Sequence, residues 1–205
     1  MKVAQKLQTE SVCLVDEGNT VIGHCPKATV HGYHTPLHRA FSVFLFNQQD
    51  QLLVQRRSLN KVTWPGIWSN SCCGHPLPGE ETLMAAKRRL QQELYLDKGE
   101  LYEALPDFRY RSRYLGIEEN EICPVYIGRV GEANFFNHEE IEAIDWLPWE
   151  TFVELTQSLP TDRWGELSPW SKLEANCLQK LGSQRLARIS TLPEFTPMNT
   201  YEDTI

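Results

Sequence analysis

The run from Ala40 to Phe46, Ala-Phe-Ser-Val-Phe-Leu-Phe, is apolar on both faces of any β-strand it could form. Such a strand has to be covered on both sides, so it belongs in the interior of a sheet rather than at an edge. After Asn47 to Asp50 comes a second β-rich run, Gln51 to Arg57. The two read as a hairpin at the heart of a sheet. Upstream, Ser11 to Gly23 predicts two short strands around an Asp-Glu-Gly-Asn turn, and the His-, Pro- and Gly-rich stretch from His24 to His38 predicts irregular loop. Trp64 to Trp68 reads as a turn, and Ser69 to Cys73 as a short extended segment.

Between Glu80 and Leu96 the spacing of Leu83, Ala86, Leu90 and Leu94 follows the helical period, with Gly79 ahead of it and Glu80 and Glu81 at its positive end. Further strands are expected at Phe108 to Arg111, Glu121 to Val130 and Ala143 to Leu147, then helices after Pro148 and from Ser168. Helices flanking a mixed sheet make an α+β domain. No linker divides the chain, so residues 1–182 are read as one domain. Residues 183–205 show little periodicity and read as a tail, flexible or loosely docked.

At 205 residues the chain can bury a full core without staples, and its net charge of −7 argues against nucleic acid or an anionic membrane as partner. Met1 to Glu10 has no apolar core of the kind a leader needs, and no apolar stretch is long enough for a bilayer. A cytoplasmic protein is expected, with its six cysteines as thiols.

Chemistry-bearing residues fall in four groups. In Ser71-Cys-Cys-Gly-His75 the two-residue period puts Cys73 and His75 on one face and Cys72 on the other; either both enter a pocket, or Cys73 is a small buried apolar residue and His75 caps a turn. Glu119 and Glu121 likewise share a face. If that face is interior, two carboxylates cannot both stay ionised without a cation; otherwise they sit on a solvated loop edge. His31 and His38, with His75, Glu119 and Glu121, would offer three imidazoles and two carboxylates, a donor set suited to Mn²⁺, Zn²⁺ or Fe²⁺. Glu93 flanks the apolar stripe of the central helix, where it reaches a site beside the core or pairs with Arg89 on a solvated face. Lys27, Arg57, Lys61 and Arg89 are among the basic residues that could hold a compact polyanion such as a diphosphate. His24, His34 and His138 read as surface residues.

Together, the segments KATVHGYHTPLHRAFSVFLF, LLVQRR, WPGIWSNSCCGHPLPGE, DFRYR, ENEICPV and SPW resemble, in order and spacing, the type I isopentenyl-diphosphate Δ-isomerases of the Nudix superfamily. The resemblance covers about Leu14 to Trp170 and implies a Nudix-like single domain. It implies reversible conversion of isopentenyl diphosphate to dimethylallyl diphosphate in isoprenoid precursor synthesis, by a monomer or weak homodimer acting on a small molecule. Cys73 and Glu121 match the family's catalytic pair, Tyr110 the tyrosine assisting the glutamate, and Trp170 the aromatic shielding a carbocation. His31, His38, His75, Glu119 and Glu121 match a site for Mn²⁺ or Zn²⁺. Glu93 and the Cys73 carbonyl match a Mg²⁺ site that also holds the diphosphate, which Lys27, Arg57, Lys61 and Arg89 would contact.

The general Nudix box keeps Gly74, Glu80, Arg88 and Glu93 here, but Arg89 and Gln92 stand where it has glutamates and Tyr95 where it has glycine. Loss of metal-binding carboxylates makes a diphosphate hydrolase the weaker alternative.

Overall fold

A computed structural model describes residues 10–158 and 164–198. The first strands are β1 (Ser11–Val15), β2 (Val21–Pro26) and β3 (His38–Arg39), with a single helical turn, α1 (Lys27–Val30), inside the stretch expected to be loop. The two-sided apolar run forms β4 (Phe41–Phe46), every residue of which is buried, and β5 is Gln51–Arg57.

The expected hairpin closes at only one pair, Phe46 opposite Leu52. Beyond it the strands splay, and β6 (Trp68–Ser69) and β7 (Cys72–Gly74) enter the wedge, β6 pairing with β5 and β7 with β4. Buried side chains replace the missing ladder. Ser71 donates its hydroxyl to Leu53 O at 2.6 Å and accepts from Leu45 N at 2.8 Å, while the Asn70 amide donates to Val43 O and Cys72 O. Satisfying these backbone groups keeps a splayed pair of central strands tolerable in the core.

The central helix, α2 (Thr82–Leu94), starts two residues later than expected and buries Ala85, Ala86, Leu90 and Leu94 against the sheet. Its end is held by Tyr95, which takes the left-handed conformation (φ 52°) and returns its N–H to Leu90 O. The glycine of the box is thus replaced without loss of the cap, since the turn needs the conformation more than the residue. Gly74 permits close packing of α2: a Cβ there would lie 3.0 Å from the Phe41 ring and 3.4 Å from Arg89 Cγ.

Then follow β8 (Leu96–Asp97), β9 (Leu101–Leu105), β10 (Arg109–Tyr114), β11 (Ile117–Ile122), β12 (Val125–Arg129) and β13 (Ile141–Pro148). The single strand expected over Glu121 to Val130 is two strands in two sheets. Pro124, which has no N–H for a ladder, marks the crossing. One sheet runs β13-β5-β4-β12-β9 with β6 and β7 attached; the other runs β10-β11-β3-β1-β2. Pairs β4/β12 and β3/β11 are parallel and the remaining pairs antiparallel, so both sheets are mixed. Helices α3 (Trp149–Gln157) and α4 (Pro169–Gln179) pack on the opposite side from α2.

Residues 183–198 carry secondary structure that their weak periodicity does not announce. Ser183–Ile189 forms α5, and Thr196–Pro197 forms β14, paired with β8. Arg185, 3% exposed, binds Asp50 through two hydrogen bonds and lies over the rings of Phe46 and Trp149. A two-turn helix held by one buried cation leaves almost no apolar period to read.

Candidate active site

Where the two sheets meet, a cavity of about 390 Å³ opens. Twelve of the thirteen residues singled out above line it: Lys27, His31, Arg57, Lys61, Cys73, His75, Arg89, Glu93, Tyr110, Glu119, Glu121 and Trp170. The other, His38, is fully buried and in contact with His75 and Glu121.

Strand register assembles the carboxylate side. Glu121 on β11 faces Tyr110 across an antiparallel pair and His38 across a parallel one, so three side chains share a row. The Tyr110 hydroxyl donates to Glu121 Oε2 at 2.9 Å. His75 Nε2 lies 3.1 Å and His38 Nε2 3.3 Å from Glu121 Oε1. His38 Nδ1 sits 2.9 Å from Pro36 O; if it donates there, Nε2 carries a lone pair toward the other ligands, the orientation a metal-binding imidazole needs. The three imidazoles of His31, His38 and His75 stand with centroids 5.1 to 5.5 Å apart.

The donor atoms of His31, His38, His75 and Glu121 lie within 4.8 Å of one another. Glu119 joins them through Oε2, 3.2 Å from His31 Nε2. Both of those atoms, and His75 Nδ1, are buried without a well-formed hydrogen bond. Burial and the neighbouring Glu121 charge push the Glu119 carboxyl well above the carboxylate range. Burial opposes ionisation of Glu121 too, but hydrogen bonds and charge from His38 and His75 outweigh it. Burial and imidazole neighbours also lower His31 to about 3, and burial lowers His75 to about 4. Crowded lone pairs, orphaned polar atoms and two carboxylates that cannot both ionise fit a divalent cation.

Opposite chemistry surrounds Cys73. Its thiol donates to Asn70 Oδ1 at 3.2 Å and lies 3.3 Å from Ser42 Oγ; burial first, then the charge of Glu174, raises it to about 12. Cys72 points the other way into the core, as the two-residue period requires. Trp170 sits in the first turn of α4, whose Ser168 caps it by accepting from Ser171 N with Pro169 at the start. The Trp170 indole N–H donates to Ser69 Oγ at 3.1 Å.

The basic residues form a third wall. Arg57 donates to Trp64 O and Thr63 O, tying down the loop at the cavity mouth, and lies 5.8 Å from the Trp170 ring centre. Lys27 pairs with Glu10 at 2.9 Å and Lys61 with Glu140. Arg89 pairs with Glu93 and, at 3.2 Å, with Glu140. Sequence spacing allowed the Arg89–Glu93 pair on a solvated face; instead both are about 5% exposed, because the buried stripe of α2 extends over them. Burial would raise the Glu140 carboxyl, but Arg89 and Lys61 hold it at about 2.

Sequence reasoning passed over Glu140, Glu10, Ser42 and Glu174, which line or underlie the cavity. No local pattern marks them, because each acts through a partner distant in the chain. His24, His34 and His138 are exposed, and all six cysteines are free thiols.

Residues 36–167 match the NUDIX domain. Isopentenyl-diphosphate Delta-isomerase of Frankia alni is 47% identical over 164 residues, covering 79% of this chain and 82% of the relative. The enzyme of that name from Paenarthrobacter aurescens is 45% identical, covering 83% and 94%, and that from Agromyces mediolanus 42%, covering 89% and 87%. Among solved structures, DR0079 from Deinococcus radiodurans superposes with a TM-score of 0.63 over 82% of this chain and 99% of its own; at 23% identity this speaks for the fold alone. With its NUDIX domain, and with identity of this level over most of both chains, the protein belongs to the isopentenyl-diphosphate Delta-isomerase family.

Proposed function

We propose that this protein interconverts isopentenyl diphosphate and dimethylallyl diphosphate by adding a proton at one carbon of the substrate and removing one from another. The observation that carries the reading is that a neutral thiol, Cys73, and a carboxylate held ionised, Glu121, line one cavity walled by Lys27, Arg57, Lys61 and Arg89.

The reaction moves a double bond across a tertiary carbon, which bears positive charge between the two proton transfers. Cys73 and Glu121 are assigned one transfer each, from opposite sides of the substrate. Tyr110 donates its hydroxyl to Glu121 and orients it. Trp170, fixed by its bond to Ser69, presents an aromatic face to the cation and excludes water. The four basic residues bind the diphosphate.

His31, His38, His75, Glu119 and Glu121 would hold Mn²⁺ or Zn²⁺, and Glu93 with the Cys73 carbonyl would hold Mg²⁺. Bound there, the ions supply positive charge that lets the paired carboxylates ionise and neutralises the diphosphate. Among the described residues no helix is long and apolar enough to cross a membrane. We assign the protein to the cytoplasm, as a monomer or weak homodimer whose partner is the small-molecule substrate, with no nucleic acid or membrane.

Nuclear magnetic resonance of isopentenyl diphosphate incubated with the metal-loaded enzyme in D₂O tests the reading. Deuterium should enter both substrate and product with the diphosphate ester intact. Release of phosphate without deuterium uptake would establish hydrolysis instead. Cys73→Ala and Glu121→Gln should each reduce turnover to near background while keeping the wild-type circular dichroism spectrum; full activity in either would overturn the pairing.

A further inference from the structure

Two of the three clustered imidazoles, His31 and His38, come from a stretch that, among the described residues, holds no helix or strand between α1 and β3. Its one ladder contact is a bridge between Gly32 and Glu118. Irregular backbone is the mobile part of a fold, so other side chains have to fix this stretch if its two rings are to meet His75 and Glu121.

Glu118 is the centre of that support. Glu119 and Glu121 line the cavity, and alternation along β11 turns Glu118 and Asn120 to the other side, against the histidine stretch. Glu118 Oε1 accepts from Thr35 N at 3.2 Å and from Arg111 at 3.0 Å, and Oε2 accepts from Arg113 at 2.9 Å. Its backbone contributes too: Glu118 N donates to Gly32 O at 2.8 Å, and Glu118 O accepts from the Thr35 hydroxyl at 2.5 Å. The Thr35 hydroxyl accepts in turn from Gly32 N, Asn120 donates to Thr35 O, and Arg113 donates to Tyr33 O. Glu118 and Thr35 are both buried.

These bonds reach both rings. Gly32 follows His31 directly and has both backbone groups engaged. Thr35 precedes Pro36, whose carbonyl lies 2.9 Å from His38 Nδ1. Charge is arranged to match: Glu118 is the third carboxylate within four residues, yet Arg111 and Arg113 balance it, so it adds no uncompensated negative charge beside the clustered donors. An apolar side chain here would leave Thr35 N, a buried donor, without its acceptor.

We infer that Glu118 is a positioning residue for the metal centre: it grips the stretch between His31 and His38 so that their rings converge with His75 and Glu121. The inference rests on the histidine metal site proposed above. The experiment is a Mn²⁺ titration of the metal-free protein followed by electron paramagnetic resonance, with excess Mg²⁺ present to occupy sites made of oxygen donors alone. Wild type, Glu118→Ala, Glu118→Gln and Thr35→Val are compared. Glu118→Ala should bind Mn²⁺ about ten- to a hundredfold more weakly, the scale usual for groups that orient metal ligands. Gln still offers a carbonyl oxygen to Thr35 N, so Glu118→Gln should stay within about threefold of wild type. Thr35→Val removes the hydroxyl shared by Gly32 and Glu118 and should weaken binding about tenfold. Titrations run well below each variant's melting midpoint separate positioning from stability, because a purely structural loss lowers the midpoint and leaves the folded protein's affinity unchanged. Should Glu118→Ala not fold, Thr35→Val still decides. Wild-type affinity in Glu118→Ala or Thr35→Val would overturn the inference, as would Glu118→Gln binding as weakly as Glu118→Ala, which would make charge rather than the hold on Thr35 the cause. Wild-type protein that takes up no Mn²⁺ would overturn the metal reading itself, and the inference with it.

Discussion

Ser71→Ala removes one hydroxyl and, by the geometry of the splayed central strands, should cost more than an ordinary buried serine. The side chain is fully buried and closes two backbone groups at once, Leu53 O and Leu45 N. A net hydrogen bond contributes about 1 kcal/mol, whereas a buried group left without a partner costs about 1–3 kcal/mol. Two orphans sharing one site therefore predict a loss of about 2–4 kcal/mol. For a domain of this size that corresponds to a fall in Tm of roughly 5–15 °C. Urea unfolding of wild type and variant, followed by circular dichroism, reads the difference as a shift in midpoint at constant slope. Ser190→Ala is the control, because that residue is exposed and, among the described residues, its hydroxyl bonds only Ala187 O; its effect should stay within about 0.5 kcal/mol. Because Ser71 fixes the segment that carries Cys73, kcat should fall as well. A Ser71→Ala protein within 1 kcal/mol of wild type would refute the view that this hydroxyl replaces the ladder between β4 and β5.

Two further outcomes follow from the charges in the cavity. Arg89→Ala leaves Glu93 without its buried cation and Glu140 with Lys61 alone, and should destabilise the protein by about 3–5 kcal/mol, with saturating Mg²⁺ restoring part of the loss in a thermal melt; an unchanged melt would refute the pairing. The depressed imidazoles set an acid limit. His31 and His75, at about 3 and about 4 when folded, are protonated more readily in the unfolded chain, so their contribution is fully present above about pH 6.5 and is lost as pH falls toward those values. Stability of the metal-free protein should therefore decline with acidification below about pH 6.5. Affinity for Mn²⁺ or Zn²⁺, measured by calorimetry, should decline over the same range and be lost in His75→Ala; a pH-independent affinity would refute the imidazole site.

How much of this was visible in the chain depends on where each contact comes from. Local periodicities carried well: the two-sided apolar run became a fully buried strand, the stripe of α2 covered the sheet, and alternation sent Cys72 to the core and Cys73 to the cavity. Expectations failed where distant segments decide the outcome. The hairpin was opened by Trp68–Gly74, a segment legible as extended but not as a wedge, because nothing local shows that the Asn70 amide and the Ser71 hydroxyl serve buried backbone of β4 and β5. The strand through Glu121 to Val130 divides at Pro124 because its halves find partners in different sheets. Among the residues that line or underlie the cavity, those in short motifs could be singled out from the sequence, whereas Glu140 and Glu174 are acids in an ordinary turn and an ordinary helix. Only tertiary neighbours separate them from surface charge.

Arg89 also bears on why this cavity suits a diphosphate that must stay intact. A carboxylate at that position would add to the negative charge of Glu93 and Glu140 and favour gathering further metal ions around the phosphorus. An arginine instead forms internal pairs with both acids, as Lys61 does with Glu140 and Lys27 with Glu10. Under the proposed assignments, Arg89, Lys61 and Lys27 would turn from their internal partners to the diphosphate, and the carboxylates they leave would hold a divalent cation that supplies the compensating positive charge. Each member of these pairs would keep an opposite charge beside it before and after, so the exchange would avoid the cost of burying a lone ion. The binding energy released at the diphosphate end is then available to hold the hydrocarbon between Cys73 and Glu121, where the chemistry proposed here takes place.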